Sequence, residues 1–117
     1  MKKIMLGNKE ISLEKEPYFI ADLGANHDGE LSRAKELVWI AKEAGADCAK
    51  FQMRHMNDLY RSKSLEKTGE DLGTEYIIDL LTKFELSVEE QRKLSKYCKR
   101  KGIIYMCTPW DLKSVDV

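Results

Sequence analysis

The sequence predicts an α/β fold in which parallel strands alternate with helices behind a small β-hairpin. Two observations carry this. Short apolar runs at 18–23, 48–53 and 103–107 have strand length, and stretches with apolar residues three and four apart lie between them. Gly45 and Gly102 each stand between a helical pattern and the next apolar run, where a helix C-terminus places a glycine. Strands separated by crossover helices run parallel with right-handed connections.

In chain order, residues 3–6 and 10–13 flank the turn-forming Gly7-Asn8-Lys9 and read as the hairpin. The break at Lys15-Glu16-Pro17 sets residues 1–16 apart from 17–117. Residues 18–23 form an expected buried strand, and 24–29 a loop rich in turn formers. Leu31, Ala34, Leu37, Val38, Ala41 and Ala44 then share one helical face, with Asp28 the expected N-cap and Gly45 the C′ residue. The second strand is Asp47-Cys48-Ala49-Lys50-Phe51-Gln52-Met53.

Residues 54–73 are polar and weakly patterned, an excursion with one helical turn anchored by Met56, Leu59 and Tyr60. Loops of that length in a compact domain are functional or disordered. A helix over 74–84 places Tyr76, Ile77, Leu80, Leu81 and Phe84 on one face. Ser87-Val88-Glu89-Glu90 matches a capping box and opens a helix through Leu94, Tyr97 and Cys98. After the strand at 103–107 come a loop at 108–111 and the first turns of another helix. Three parallel strands alone would leave edges and apolar faces uncovered, so the sequence reads as part of a longer chain.

Composition narrows the function classes. The 117 residues hold 20 basic and 20 acidic side chains, which gives no electrostatic case for nucleic acid or an anionic membrane as partner. No apolar run approaches the roughly 20 residues that span a bilayer, and 4–6 is too short for a signal-peptide core. Cys48, Cys98 and Cys107 are odd in number and set in apolar segments. They read as reduced core cysteines of a cytoplasmic protein, not as a disulfide framework or zinc site.

The second strand carries the strongest functional signal. Ala49, Phe51 and Met53 share one face, and Cys48, Lys50 and Gln52 the other. A strand after an alanine-rich helix is normally apolar on both faces, and an unpartnered buried ammonium costs several kcal/mol. Lys50 therefore implies an anion. Asp22 at the carboxyl end of the first strand, Lys50 and Gln52 at that of the second, and Thr108 past the third converge on one rim, where parallel α/β folds bind ligands. Asn26 and His27 follow Asp22 on the same rim. Two readings stand: an internal Lys50–Asp22 salt bridge, or a substrate phosphate or carboxylate beside Lys50 with Gln52 on a neutral hydroxyl or amide. Convergence of four polar groups favours the second.

The remaining groups carry less. His55 reads as structural or solvated, Trp39 as packing, and Trp110 either lines the mouth or covers the end of the fold. The residues hold no metal-ligand spacing, and the loop at 24–29 is neither a Walker loop nor Gly-x-Gly-x-x-Gly, which excludes a simple nucleotide site.

Residues 17–29 (PYFIADLGANHDG), the Ala44-Gly45-Ala46-Asp47 turn into Lys50-Phe51-Gln52, and the strand from Gly102 to Thr108-Pro109 with Asp111-Leu112 and Ser114-Val115-Asp116 together resemble the sialic acid synthase family, also called N-acetylneuraminate synthase or NeuB-like. The resemblance runs from Pro17 to Val117. It implies a (β/α)8 TIM barrel, of which these would be the first three βα units, capped by the hairpin. It also implies condensation of phosphoenolpyruvate with an N-acetylated amino sugar such as N-acetylmannosamine, giving a nine-carbon 2-keto sugar acid and phosphate. A divalent metal (Mn2+ or Mg2+) is implied, with ligands beyond residue 117, as is a homodimer.

Carried over, Lys50 and Thr108 would hold phosphoenolpyruvate and Gln52 would orient the sugar, with Asp22 and Lys50 the candidate catalytic groups and Asn26 and His27 further substrate contacts. Most family members carry glutamate at Asp22 and asparagine at Asp28, which points to a different acceptor sugar. The chain alone is expected to be inactive. The competing classes are a small non-catalytic α/β module that binds an anionic metabolite, and a synthase of the same family for another sugar acid.

Overall fold

The computed structural model describes residues 2–59 and 74–117. Strands β1 (Ile4–Leu6) and β2 (Lys9–Ile11) form the antiparallel hairpin. Strand β3 (Ile20–Gly24), helix α1 (Leu31–Glu43), strand β4 (Cys48–Met53), the single turn α2 (Met56–Leu59), helices α3 (Thr74–Lys83) and α4 (Val88–Lys101), strand β5 (Ile104–Pro109) and the short α5 (Leu112–Val115) follow. The second sheet has the order β3-β4-β5 and is parallel throughout, so the fold is mixed α/β.

Local chemistry explains the two long helices. Helix α4 begins in the expected capping box, with Ser87 Oγ accepting from the Glu90 N–H and the Glu90 carboxylate accepting from the Ser87 N–H. It ends at Gly102, whose φ of 71° lies in the left-handed region that glycine enters without penalty. Helix α1 buries Ala34, Val38 and Ala41, three of its expected face. Its N-cap, however, is Glu30, which makes no side-chain cap bond. Asp28 cannot serve, because it adopts φ 53° while a capping residue needs extended backbone. Its carboxylate instead pairs with Arg33.

The core lies between the sheet and the helices, where Ala34, Val38 and Ala41 of α1 meet Ala49 and Phe51 of β4 and Leu94 and Cys98 of α4. Phe51 is fully buried and its ring lies 6.0 Å from Tyr105. Burying a phenylalanine contributes about 1.5–3 kcal/mol. The sequence expectation of a buried strand at 18–23 needs correction. Ala21 and Leu23 pack on the core, but Phe19 and Ile20 are exposed, because β3 is an outer strand of the described sheet and Ile20 alternates away from the helices. Among the described side chains of α3 the buried one is Ile78, which the expected face omitted. Residues 77, 78, 80 and 81 are all apolar, so the periodicity there is ambiguous by one position. Tyr60, residues 61–73 and the side chains of Tyr76 and Ile77 lie outside the described residues.

Asp47 fastens the hairpin to the sheet. Lys9 Nζ reaches both its carboxylate oxygens (2.8 and 2.9 Å) and the Pro17 carbonyl, while the Phe19 N–H donates to Oδ2 at 2.8 Å. The lysine's hydrogen bonds hold this carboxyl below its ordinary range. All three cysteines are free, with Cys48 and Cys98 buried and Cys107 half-buried. Burial pushes the Cys98 thiol up to about 11, so it stays protonated and unreactive at neutral pH. No described helix is long and apolar enough to cross a membrane.

Candidate functional site at the carboxyl ends of the strands

Register brings the expected groups to one rim. Asp22 pairs with Lys50 across β3–β4, and Gln52 pairs with Thr108 across β4–β5. Lys50 Nζ lies 3.0 Å from Asp22 Oδ2, so the internal ion pair is formed. The pair is not sealed, since the side chains remain 28% and 56% exposed. An ammonium has three donors, and among the described residues Asp22 is the one carboxylate within ion-pair distance. Lys50 can therefore accept a second, external anion. Thr108 is half-buried and its hydroxyl makes no hydrogen bond to a described side chain.

The loop after β3 departs from expectation. The register shifts between Asp22 and Gly24, and hydrogen-bonded turns follow from Leu23 to Glu30. Asn26 is left exposed on the loop. His27, expected on the rim, is turned inward to 2% exposure with its ring 6.0 Å from Phe51. Its Nδ1 accepts from the Gly29 N–H at 3.0 Å. Burial lowers its pKa, outweighing the attraction of Asp28 and Glu90. A neutral ring held in this way braces the loop and does not reach the rim.

Sequence reasoning missed the residues that frame the site. Arg54 follows β4 and is only 9% exposed in its side chain. Its guanidinium pairs with Glu85 at 3.1 Å, donates to Gln52 Oε1, and lies 4.8 Å from the Trp110 ring centre. Burial raises the Glu85 carboxyl in spite of the arginine beside it. Trp110 thus covers the arginine at the rim. The signal available in sequence was the parity of Gln52 and Arg54, two residues apart.

Gln91, 2% exposed on α4, donates to the Gln52 carbonyl at 3.0 Å and accepts from the Tyr105 hydroxyl at 2.7 Å. A cavity of about 510 Å3 adjoins Arg54, His55, Glu85 and Lys113. Another, about 450 Å3, lies at the opposite, amino end of the strands beside Lys9, Tyr18 and Asp47.

His55, Asp58 and Asp111 bring one ligand atom each within 4.8 Å of one another, a grouping the sequence spacing did not disclose. These atoms are already engaged. Asp111 caps α5, accepting from the N–H groups of Ser114 (2.8 Å) and His55 (2.6 Å) as well as the His55 ring. Burial works against its charge, but those donors prevail and hold its carboxyl well below the usual range. Asp58 is paired with Lys113 at 2.9 Å. The cluster fits a helix cap with its own cation better than a divalent metal.

A parallel α/β unit with a lysine, a threonine and an amide along adjacent strands has its polar groups where α/β folds place their ligands. The chain belongs to the NeuB family, whose model matches residues 37–117. It is 39% identical over 105 residues to the N,N'-diacetyllegionaminic acid synthase of Legionella pneumophila, covering 85% of this chain and 29% of that protein. It is 35% identical to the spore coat polysaccharide biosynthesis protein SpsE of Bacillus subtilis, covering all of this chain and 31% of that one. Among solved structures, the N-acetylneuraminic acid (sialic acid) synthetase of Leptospira borgpetersenii, in complex with citrate, superposes with a TM-score of 0.78 at 28% identity, over 98% of this chain and 36% of that one. The chain thus spans about a third of the length of these relatives.

Proposed function

We propose that this sequence forms the phosphoenolpyruvate-binding part of a sugar acid synthase built on a (β/α)8 barrel, with β3, β4 and β5 as its first three barrel strands. The reaction joins the enol carbon of phosphoenolpyruvate to the aldehyde carbon of an N-acetylated amino sugar. Water adds to the resulting cationic centre, and the C–O bond to phosphate breaks, leaving a 2-keto acid. Relatives that are synthases of sialic and legionaminic acids support this class of product.

The observation that carries the reading is Lys50, an ammonium on the middle strand of the described sheet, held among the described residues by a single half-exposed carboxylate, with Thr108 on the neighbouring strand. Asp22 fixes the ammonium and leaves its other donors for the ligand's phosphate or carboxylate. Gln52 lies on the same face of β4 and would meet the sugar. Catalysis by such a site is positioning together with charge stabilisation by fixed cations. The divalent metal that the resemblance implies finds no free ligand set among the described residues.

The experiment is phosphate release by the complete gene product, supplied with phosphoenolpyruvate and a panel of N-acetylated amino sugars. Turnover with at least one sugar is expected. Tight binding of phosphoenolpyruvate without turnover of any sugar would instead establish the non-catalytic binding module.

A further inference from the structure

Gln52 is held at two points. Its backbone carbonyl accepts from the buried amide of Gln91, and its side-chain oxygen accepts from Arg54. A guanidinium has donors only, so the atom of the Gln52 amide that faces it must be the oxygen. The NH2 group then points the other way. It lies 3.5 Å from where a Cβ on Gly24 would stand, and Asp22 Oδ1 lies 3.8 Å from that same point. The amide nitrogen is thus aimed over Gly24, toward the side of the rim where Asp22 and Lys50 meet.

We infer that Arg54 is a positioning residue that locks Gln52 as a hydrogen-bond donor, so that the site selects an acceptor oxygen on the sugar, a hydroxyl lone pair or an acyl carbonyl. This rests on the proposed synthase reading. The arginine is suited to the task because its rigid fork serves two partners at once, Glu85 through one terminal nitrogen and Gln52 through the other. Trp110 shields it from water on the ring side. Gly24, whose φ of 45° disfavours any other residue, brings bare backbone beside the amide, where a Cβ would stand in van der Waals contact with the Gln52 nitrogen.

Arg54→Lys tests this in the complete gene product. Lysine can keep the charge beside Glu85, but its one nitrogen cannot stand in the places of both terminal guanidinium nitrogens, so the amide is expected to lose its fixed partner. The expected result is a KM for the amino sugar about tenfold higher, with the KM for phosphoenolpyruvate within about twofold. An unchanged sugar KM, or an equal rise in both constants, overturns the inference, since a merely structural arginine would be rescued by lysine or would damage both sites alike.

A second readout needs no turnover. In protein carrying isotope-labelled glutamine, the Gln52 NH2 pair, assigned by its loss in Gln52→Ala, should be dispersed and should collapse toward free-amide shifts in Arg54→Lys. A pair that stays dispersed in the variant also overturns the inference. If the unsubstituted protein turns over no amino sugar, the proposed function fails, and the amide resonances still decide whether the clamp exists.

Discussion

Replacing Lys50 by methionine separates the two fates open to its ammonium. The structure bounds the internal alternative. Lys50 and Asp22 approach to 3.0 Å, yet one side chain is about a quarter exposed and the other more than half. Water and salt screen a pair that open, so it contributes about 0.2–1 kcal/mol to stability. A ligand phosphate that closes over the ammonium is in a different position. At about 3 Å and an effective dielectric of ~20 the Coulomb attraction is about 5.5 kcal/mol before desolvation is subtracted. Even a quarter of that, ~1.4 kcal/mol, is tenfold in affinity.

Lys50→Met in the complete gene product is therefore expected to change unfolding free energy by less than about 1 kcal/mol. It should raise the KM for phosphoenolpyruvate at least ~tenfold, and that for the sugar far less. Urea denaturation followed by circular dichroism gives the first quantity. Steady-state phosphate release, with each substrate varied against saturating amounts of the other, gives the second. A loss of several kcal/mol with an unaltered response to phosphoenolpyruvate would refute the reasoning and return the ammonium to Asp22.

Other perturbations test the framework around the site. Phe51→Ala removes a fully buried ring and should cost about 3–5 kcal/mol, whereas Phe19→Ala, at an exposed position, should stay within about 0.5 kcal/mol by the same urea titration. Ser87→Ala breaks the capping box of α4 and should lower stability by about 1 kcal/mol. Asp111 has a folded pKa below its unfolded value of about 4, so its contribution is present above that pH and is lost as pH falls through the folded value. Asp111→Asn should accordingly flatten the acid limb of stability against pH, read from urea midpoints across the acid range.

Features set by neighbours in sequence were legible. Ser87, Glu90 and Gly102 fix the ends of α4 through bonds three or four residues long. Strand alternation placed Lys50 and Gln52 opposite Phe51 without knowledge of the partners. What escaped depends on residues far apart in the chain or on loop direction. Asp47 joins Lys9 and Phe19, and Arg54 joins Glu85 and Trp110. No local pattern announces either. His27 was assigned to the rim by its place after β3, but parity ends with the strand. Beyond the register shift at Asp22 and Gly24, left-handed backbone at Asp28 and Gly29 turns the loop and buries the ring.

Lys50 also protects the register of the strand that presents it. A one-residue slip of β4 would exchange its faces, sending Lys50 and Gln52 toward Val38 and Leu94 and bringing Phe51 to the rim. The slipped strand would lose about 1.5–3 kcal/mol of phenylalanine burial. It would also strand an ammonium against the apolar cluster around Val38 and Leu94, at a cost of several kcal/mol. An aliphatic residue in place of Lys50 would remove the larger of these penalties and leave two registers closer in energy. The lysine therefore specifies the register by what it forbids, and the same exclusion from the core leaves its charge on the opposite face of the strand, beside Asp22.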